Sequence, residues 1–133
     1  MIRPALAAGQ VVVTDRYTDS SVAYQGAGRD LGADEVHDLQ MWAVGGLVPD
    51  LTVVVDVPAD LGRSRRGEVH DRLESEADDF HASIREHFLA MARGNPERYV
   101  VVDGTLDPQE IHAAVLARVA ALGVLDEPTG GAP

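Results

Sequence analysis

The chain has 133 residues, 45% hydrophobic and 25% charged, enough for one domain with a single buried core. Its formal net charge of −11 argues against nucleic acid or anionic lipid as a partner, and no apolar run is long enough to span a bilayer. With no cysteine, and no apolar signal core near Met1, a disulfide scaffold and a thiolate metal site are excluded and a cytoplasmic location is expected.

In chain order, Gln10 to Thr14 (QVVVT), Leu51 to Val57 (LTVVVDV) and Tyr99 to Val102 (YVVV) are short β-branched apolar runs. Continuous rather than alternating hydrophobicity predicts strands covered on both faces, as in a parallel α/β sheet. The runs end at or beside Asp15, Asp56 and Asp103, and ligands of open α/β sheets gather at such strand ends. Val36, Leu39, Ala43 and Leu47 predict a helix from near Ala33, and Phe80, Ile84, Phe88 and Met91 predict one closed by Gly94 and Pro96. Asp107, Pro108 and Glu110 predict a capped final helix whose apolar line is Ile111, Val115, Val119 and Leu122. Trp42 and Phe80 read as core. The expected order is β-α-α-β-α-α-β-α, one domain over 1–123 with a flexible tail over 124–133.

The stretch Thr14 to Arg29 (TDRYTDSSVAYQGAGR) puts Asp15 and Arg16 directly at a predicted strand end. Such a pair has two readings: mutual pairing or helix capping, or a carboxylate holding Mg2+ through water beside a guanidinium fork for a phosphate. Further on, Arg63, Arg65, Arg66 and Arg72 surround Gly67 in an otherwise acidic chain. A run of this kind is usually a solvated face. The five histidines, His37, His70, His81, His87 and His112, have no metal-ligand spacing.

The whole string resembles the thymidylate kinase signature, a DR(Y/F/H) motif at a strand end followed by a serine-bearing turn and an AYQG-type helix. IRPALAAG before it, LVPDLTVVVDVPADLG after it and DRLE at Asp71 to Glu74 are similar to the same family. The resemblance runs to about Leu122. It implies a P-loop NTPase-like parallel sheet with flanking helices, and ATP-dependent phosphorylation of dTMP to dTDP with Mg2+. It implies Asp15 as the Mg2+-associated acid, Arg16 on the acceptor phosphate, Ser20 and Ser21 at the thymine edge, Tyr24 against the deoxyribose and Gln25 on the nucleotide. The alternative readings are a helix cap for Ser20 and a partly core position for Tyr24. Arg65, Arg66 and Arg72 would be lid cations of the bacterial type of the enzyme, and Asp103 and Gly104 would pass near the adenine. A homodimer through helices on one side of the sheet, including the Val36 and Leu39 face, is implied as well.

One part of the chemistry is absent from the 133 residues: all eleven basic residues are arginines, and no GxxxxGK[ST] string exists. The family's first strands and phosphate loop would precede Met1, leaving the sheet incomplete and this chain alone inactive. Two other readings stand beside this one, another nucleoside or nucleotide kinase of the P-loop class and a non-catalytic remnant that binds nucleotide.

Overall fold

The computed structural model describes residues 1–28, 32–58, 61 and 72–124. Along these the elements are α1 (Ile2–Ala7), α2 (Thr18–Gly28), α3 (Ala33–Val44), β1 (Thr52–Asp56), α4 (Arg72–Gly94), β2 (Tyr99–Asp103) and α5 (Pro108–Ala121). The strands pair in parallel, Thr52 opposite Tyr99 through Asp56 opposite Asp103. A parallel pair needs a long crossover, and α4 supplies it.

Side chains of registered residues project from the same face of the sheet. Val54 and Val101 therefore share one face with Tyr99, and Val53, Val55, Val100 and Val102 share the other. Leu89, Ala92 and Arg93 of α4 line a cleft with Tyr99 and Val101, so α4 covers the first face, and α5 packs on β2. α2 in turn packs between α3 and α4. The buried apolar residues, Val22, Ala23, Val36, Ile84, Ala92, Tyr99 and Val102, trace this small core across four elements.

The final helix follows its sequence closely. Asp107 accepts from the Gln109 amide at 2.9 Å, Glu110 accepts from the Asp107 amide at 3.3 Å, and Pro108 occupies the first turn. Both orphan donors are thereby satisfied by residues within three positions. α3 ends where Gly45 turns left-handed (φ 61°), and Arg3 of α1 donates to the exposed carbonyls of Val44 (3.0 Å) and Gly45 (2.7 Å).

Two expectations fail. Gln10 to Thr14 forms no strand: the segment joins no ladder, and Val11 and Val13 are 59% and 90% exposed. Three β-branched residues favour extended backbone, but a strand exists only where another strand accepts its hydrogen bonds, and among the described residues β1 and β2 pair only with each other. The order thus begins α-α-α instead of with a strand. Trp42, expected in the core, is 82% exposed on α3, because the face α3 turns inward is the one carrying Val36. Of the helix expected between β1 and α4 only Leu61 is described, as helical, and the tail beyond 124 lies outside the described residues.

Candidate functional site

Asp15 and Arg16 lie in the turn that leads into α2, and both are exposed. Arg16 adopts φ 67°, alone among the described non-glycine residues in having a positive value. The left-handed region crowds any Cβ, so a residue held there signals a local constraint. The Thr14 hydroxyl donates to the Arg16 carbonyl at 3.1 Å, which helps hold the turn. The Arg16 guanidinium sits 5.2 Å from the centroid of the Tyr24 ring. Tyr24 meets Phe80 of α4 edge-on from its own side, centroids 6.3 Å apart. A cation, an aromatic plane and a supporting ring thus stand in series.

α2 orients the remaining polar groups. Val22 and Ala23 are buried, Ser20, Ser21 and Tyr24 are half-buried, and Gln25 is exposed. Ser20 donates its amide to the Tyr17 carbonyl at 3.1 Å in the first turn. Ser20 and Tyr24, four apart, lie along one flank of the helix, and Ser21 and Gln25 lie along the next. The structure therefore brings Arg16 and Tyr24 together and places the two serines one turn before Tyr24.

The other expected residues are less concentrated. Arg65 and Arg66 lie outside the described residues, as does Arg63, and only the backbone of Arg72 is described, as the first residue of α4. Asp103 ends β2 exposed, with its carboxylate accepting from the Thr105 amide (2.8 Å) and hydroxyl (2.6 Å), which hold it below the usual carboxylate range. Gly104 has a packing role that sequence reasoning did not foresee. A Cβ there would stand 2.5 Å and 2.8 Å from methyls of Val57 and Val55 and 3.1 Å from the Asp56 carbonyl. Among the described residues no three His, Asp or Glu side chains are placed to share a metal, so Asp15, Asp56 and Asp103 form no common metal site.

Two ion pairs escaped sequence reasoning because their partners are far apart in the chain. At the finishing end of β1, Asp56 accepts twice from Arg85 of α4, from Nε at 2.5 Å and Nη2 at 2.8 Å. The guanidinium hydrogen bonds hold the Asp56 carboxyl below its ordinary value, against some desolvation and the neighbouring Asp103. At the starting end of the strands, Asp19 of α2 pairs with Arg98, and Thr52 Oγ1 donates to the same carboxylate at 2.9 Å. Arg98 also donates to the Tyr99 hydroxyl at 2.6 Å and lies over that ring, 4.6 Å from its centroid. Burial, then the Asp19 charge, pushes the Tyr99 phenol up to about 12. A cleft of about 330 Å³ beneath α4, lined by Leu89, Ala92, Arg93, Pro96, Tyr99 and Val101, contains none of the expected site residues.

Comparison with known proteins bears on the whole chain. The family profile for thymidylate kinase matches residues 1–115. The thymidylate kinase of Clavibacter michiganensis subsp. michiganensis is 50% identical over 125 residues, covering 92% of this chain and 59% of that protein. That of Cutibacterium acnes is 47% identical over 122 residues, again covering 92% of this chain and 59% of the relative. A crystal structure of thymidylate kinase from Ehrlichia chaffeensis superposes with a TM-score of 0.59 at 27% identity, covering 92% of this chain and 56% of that one. The chain thus spans somewhat under three-fifths of the length of these relatives. Among the described residues no helix is long and apolar enough to cross a membrane. With a matching profile over 1–115 and relatives at half identity, this chain belongs to the thymidylate kinase family.

Proposed function

We propose that this chain supplies the acceptor site and the arginine lid for transfer of the γ-phosphoryl group of ATP to dTMP, giving dTDP. The observation that carries the reading is Arg16, held at φ 67° with its guanidinium over the Tyr24 ring. Backbone strain of this kind costs about 1–3 kcal/mol and concentrates where a side chain must be aimed. Here it aims a planar donor fork outward from a turn, beside an aromatic face.

In this reading Arg16 takes two oxygens of the dTMP phosphate, leaving the third free to attack. Tyr24 packs against the deoxyribose, where a 2′-hydroxyl would collide with the ring. Ser21 hydrogen-bonds the thymine edge, with Ser20 and Gln25 supporting the nucleotide from the same two flanks of α2. Asp15 is a lone exposed carboxylate, which suits Mg2+ held through water with its remaining ligands drawn from phosphate oxygens. When bound, that ion neutralises charge on the phosphates. Arg65, Arg66 and Arg72 bring positive charge to the equatorial oxygens of the transferred group, and the Asp103–Gly104 turn borders the adenine.

ATP requires more than these residues provide, because the 133 residues include no lysine and no GxxxxGK[ST] loop. The 133-residue chain alone is therefore inactive as a kinase, and a coupled assay should find no dTMP-dependent ADP release. A cytoplasmic dimer through the α3 face belongs to the same reading, with exposed Leu39 and Trp42 available for contact and Val36 committed to the core.

Calorimetric titration tests the acceptor site itself. The purified chain should bind dTMP in preference to dCMP and dGMP, and Arg16→Ala should remove most of the affinity for all three, because the phosphate it would hold is common to them. Equal affinity for all three nucleotides would point to a P-loop kinase of different specificity, and no binding would refute the acceptor assignment.

A further inference from the structure

Asp19 begins the same face of α2 as Val22 and Ala23, at helical spacings of three and four. Its neighbours along that face are buried methyls, and its own side chain is only 13% exposed. Among the described residues the cation it pairs with is Arg98, 79 residues away, whose side chain is 17% exposed. Arg98 immediately precedes β2, and Thr52, the second donor to Asp19, opens β1; the Thr52 amide also donates to the Arg98 carbonyl at 2.8 Å. One carboxylate on the first turn of α2 is thus fastened to the starting ends of both strands.

An interaction of this type is an inefficient source of stability. Two charges lose their hydration, and replacement by apolar groups is often neutral. The cluster also leaves polar atoms buried without partners, Arg98 Nε and the Thr18 hydroxyl beside Asp19. What the arrangement does supply is direction: with its guanidinium laid over the Tyr99 ring, Arg98 donates from Nη2 to the Tyr99 hydroxyl and to the Asp19 carboxylate alike, so the ring fixes where that carboxylate sits and with it the register of α2. Ser20, Ser21 and Tyr24 ride on that register.

We propose that Arg98 is a positioning residue for the acceptor site: through Asp19 it pins the first turn of α2 to the sheet and so sets where Ser20, Ser21 and Tyr24 meet the nucleotide. The proposal rests on the acceptor reading of α2 given above. Arg98 need not touch dTMP, and its influence runs through one ion pair.

The test measures two properties of the 133-residue chain in Arg98→Ala and Arg98→Lys: amide hydrogen exchange along α2 and α5, and dTMP affinity by calorimetry. Lysine keeps the charge but not the planar group that lies over the Tyr99 ring, so it tests geometry in a variant that retains the ion pair if alanine fails to fold. Exchange should quicken in α2 with α5 unchanged, and dTMP affinity should fall about tenfold in the alanine variant and less in the lysine variant. Equal acceleration in both helices would reduce Arg98 to a general stabiliser and overturn the proposal, as would unaltered dTMP affinity in both variants. Selective loosening of α2 in a chain that binds no dTMP even with Arg98 intact would sink the acceptor reading while upholding the pin.

Discussion

The two halves of this molecule meet the same physical demand with different success. From Thr52 onward, strand, crossover helix, strand and capping helix follow one another in sequence, and each finds its partner in the next: β1 with β2, α4 across one face, α5 along β2. From Met1 to Val44 the helices form, but the β-branched run between α1 and α2 finds no ladder, and its valines and Trp42 stay in water. Helices satisfy their backbone locally, whereas a strand depends on what lies beside it. The contrast places the better-paired secondary structure in the βαβ half and the proposed acceptor site in the half that is less completely packed.

The largest perturbation of that division is expected at Gly104, where the turn after β2 is pressed against β1. Its amide donates to the Asp56 carbonyl at 2.8 Å, and a side chain would collide with Val55, Val57 and that same backbone. Gly104→Val should cost about 3 kcal/mol, seen as a lower urea midpoint, because the obstructing atoms include backbone that cannot rotate away. If the midpoint holds, the close approach is not a feature of the folded chain.

Loss of the Asp56–Arg85 pair should come next. Arg85→Ala should destabilise by about 1 kcal/mol at neutral pH, a value kept low because the arginine is 39% exposed and screened by solvent. The sign with pH is fixed. The Asp56 carboxyl is held below its ordinary 3.8, so the unfolded chain binds the proton more readily and the contribution is complete above that value. It disappears as pH falls through the lowered folded value. Urea titrations of both proteins should therefore converge in acid and separate above pH 4, and a gap independent of pH would show that the alanine acts through lost packing instead.

A comparable but slightly smaller loss, about 1 kcal/mol or less, is expected for Asp107→Ala, which opens the capping box of α5. Smallest of all, Trp42→Ala should change the unfolding midpoint of the isolated chain by less than about 0.5 kcal/mol, since an exposed side chain loses little. A large loss there would mean that Trp42 is covered in solution and that the first half of the chain is packed more completely than the contrast requires.

What was legible in the sequence follows the same local-to-remote gradient. Asp107, Pro108 and Glu110 announced α5 because a cap is made by residues within one turn. The runs before Asp56 and Asp103 announced β1 and β2 because they pair with each other. Val11 to Val13 carry the same composition and misled, for composition records a preference for extended backbone and says nothing of a partner. The string around Asp15 and Arg16 carried the family resemblance, and the Arg16 contact with Tyr24 lay within its span. Asp19 sits in that string as well, yet nothing near it indicated Arg98, and nothing near Asp56 indicated Arg85. The resemblance placed Gly104 near the adenine and said nothing of its packing, since the methyls that exclude a side chain there belong to Val55 and Val57, in and just after β1.

The central claim is that the strained Arg16 is held for an anionic nucleotide and not for the fold. Thermal unfolding of the native chain and of Arg16→Gly, each with increasing dTMP, tests it directly. Glycine accepts a positive φ freely, so the unliganded variant should unfold at the same temperature or slightly above, while the native chain alone should gain stability with ligand, about 2.7 kcal/mol at a hundredfold excess over Kd. A glycine variant that responds to dTMP as fully as the native chain, or a native chain that does not respond at all, would contradict the account.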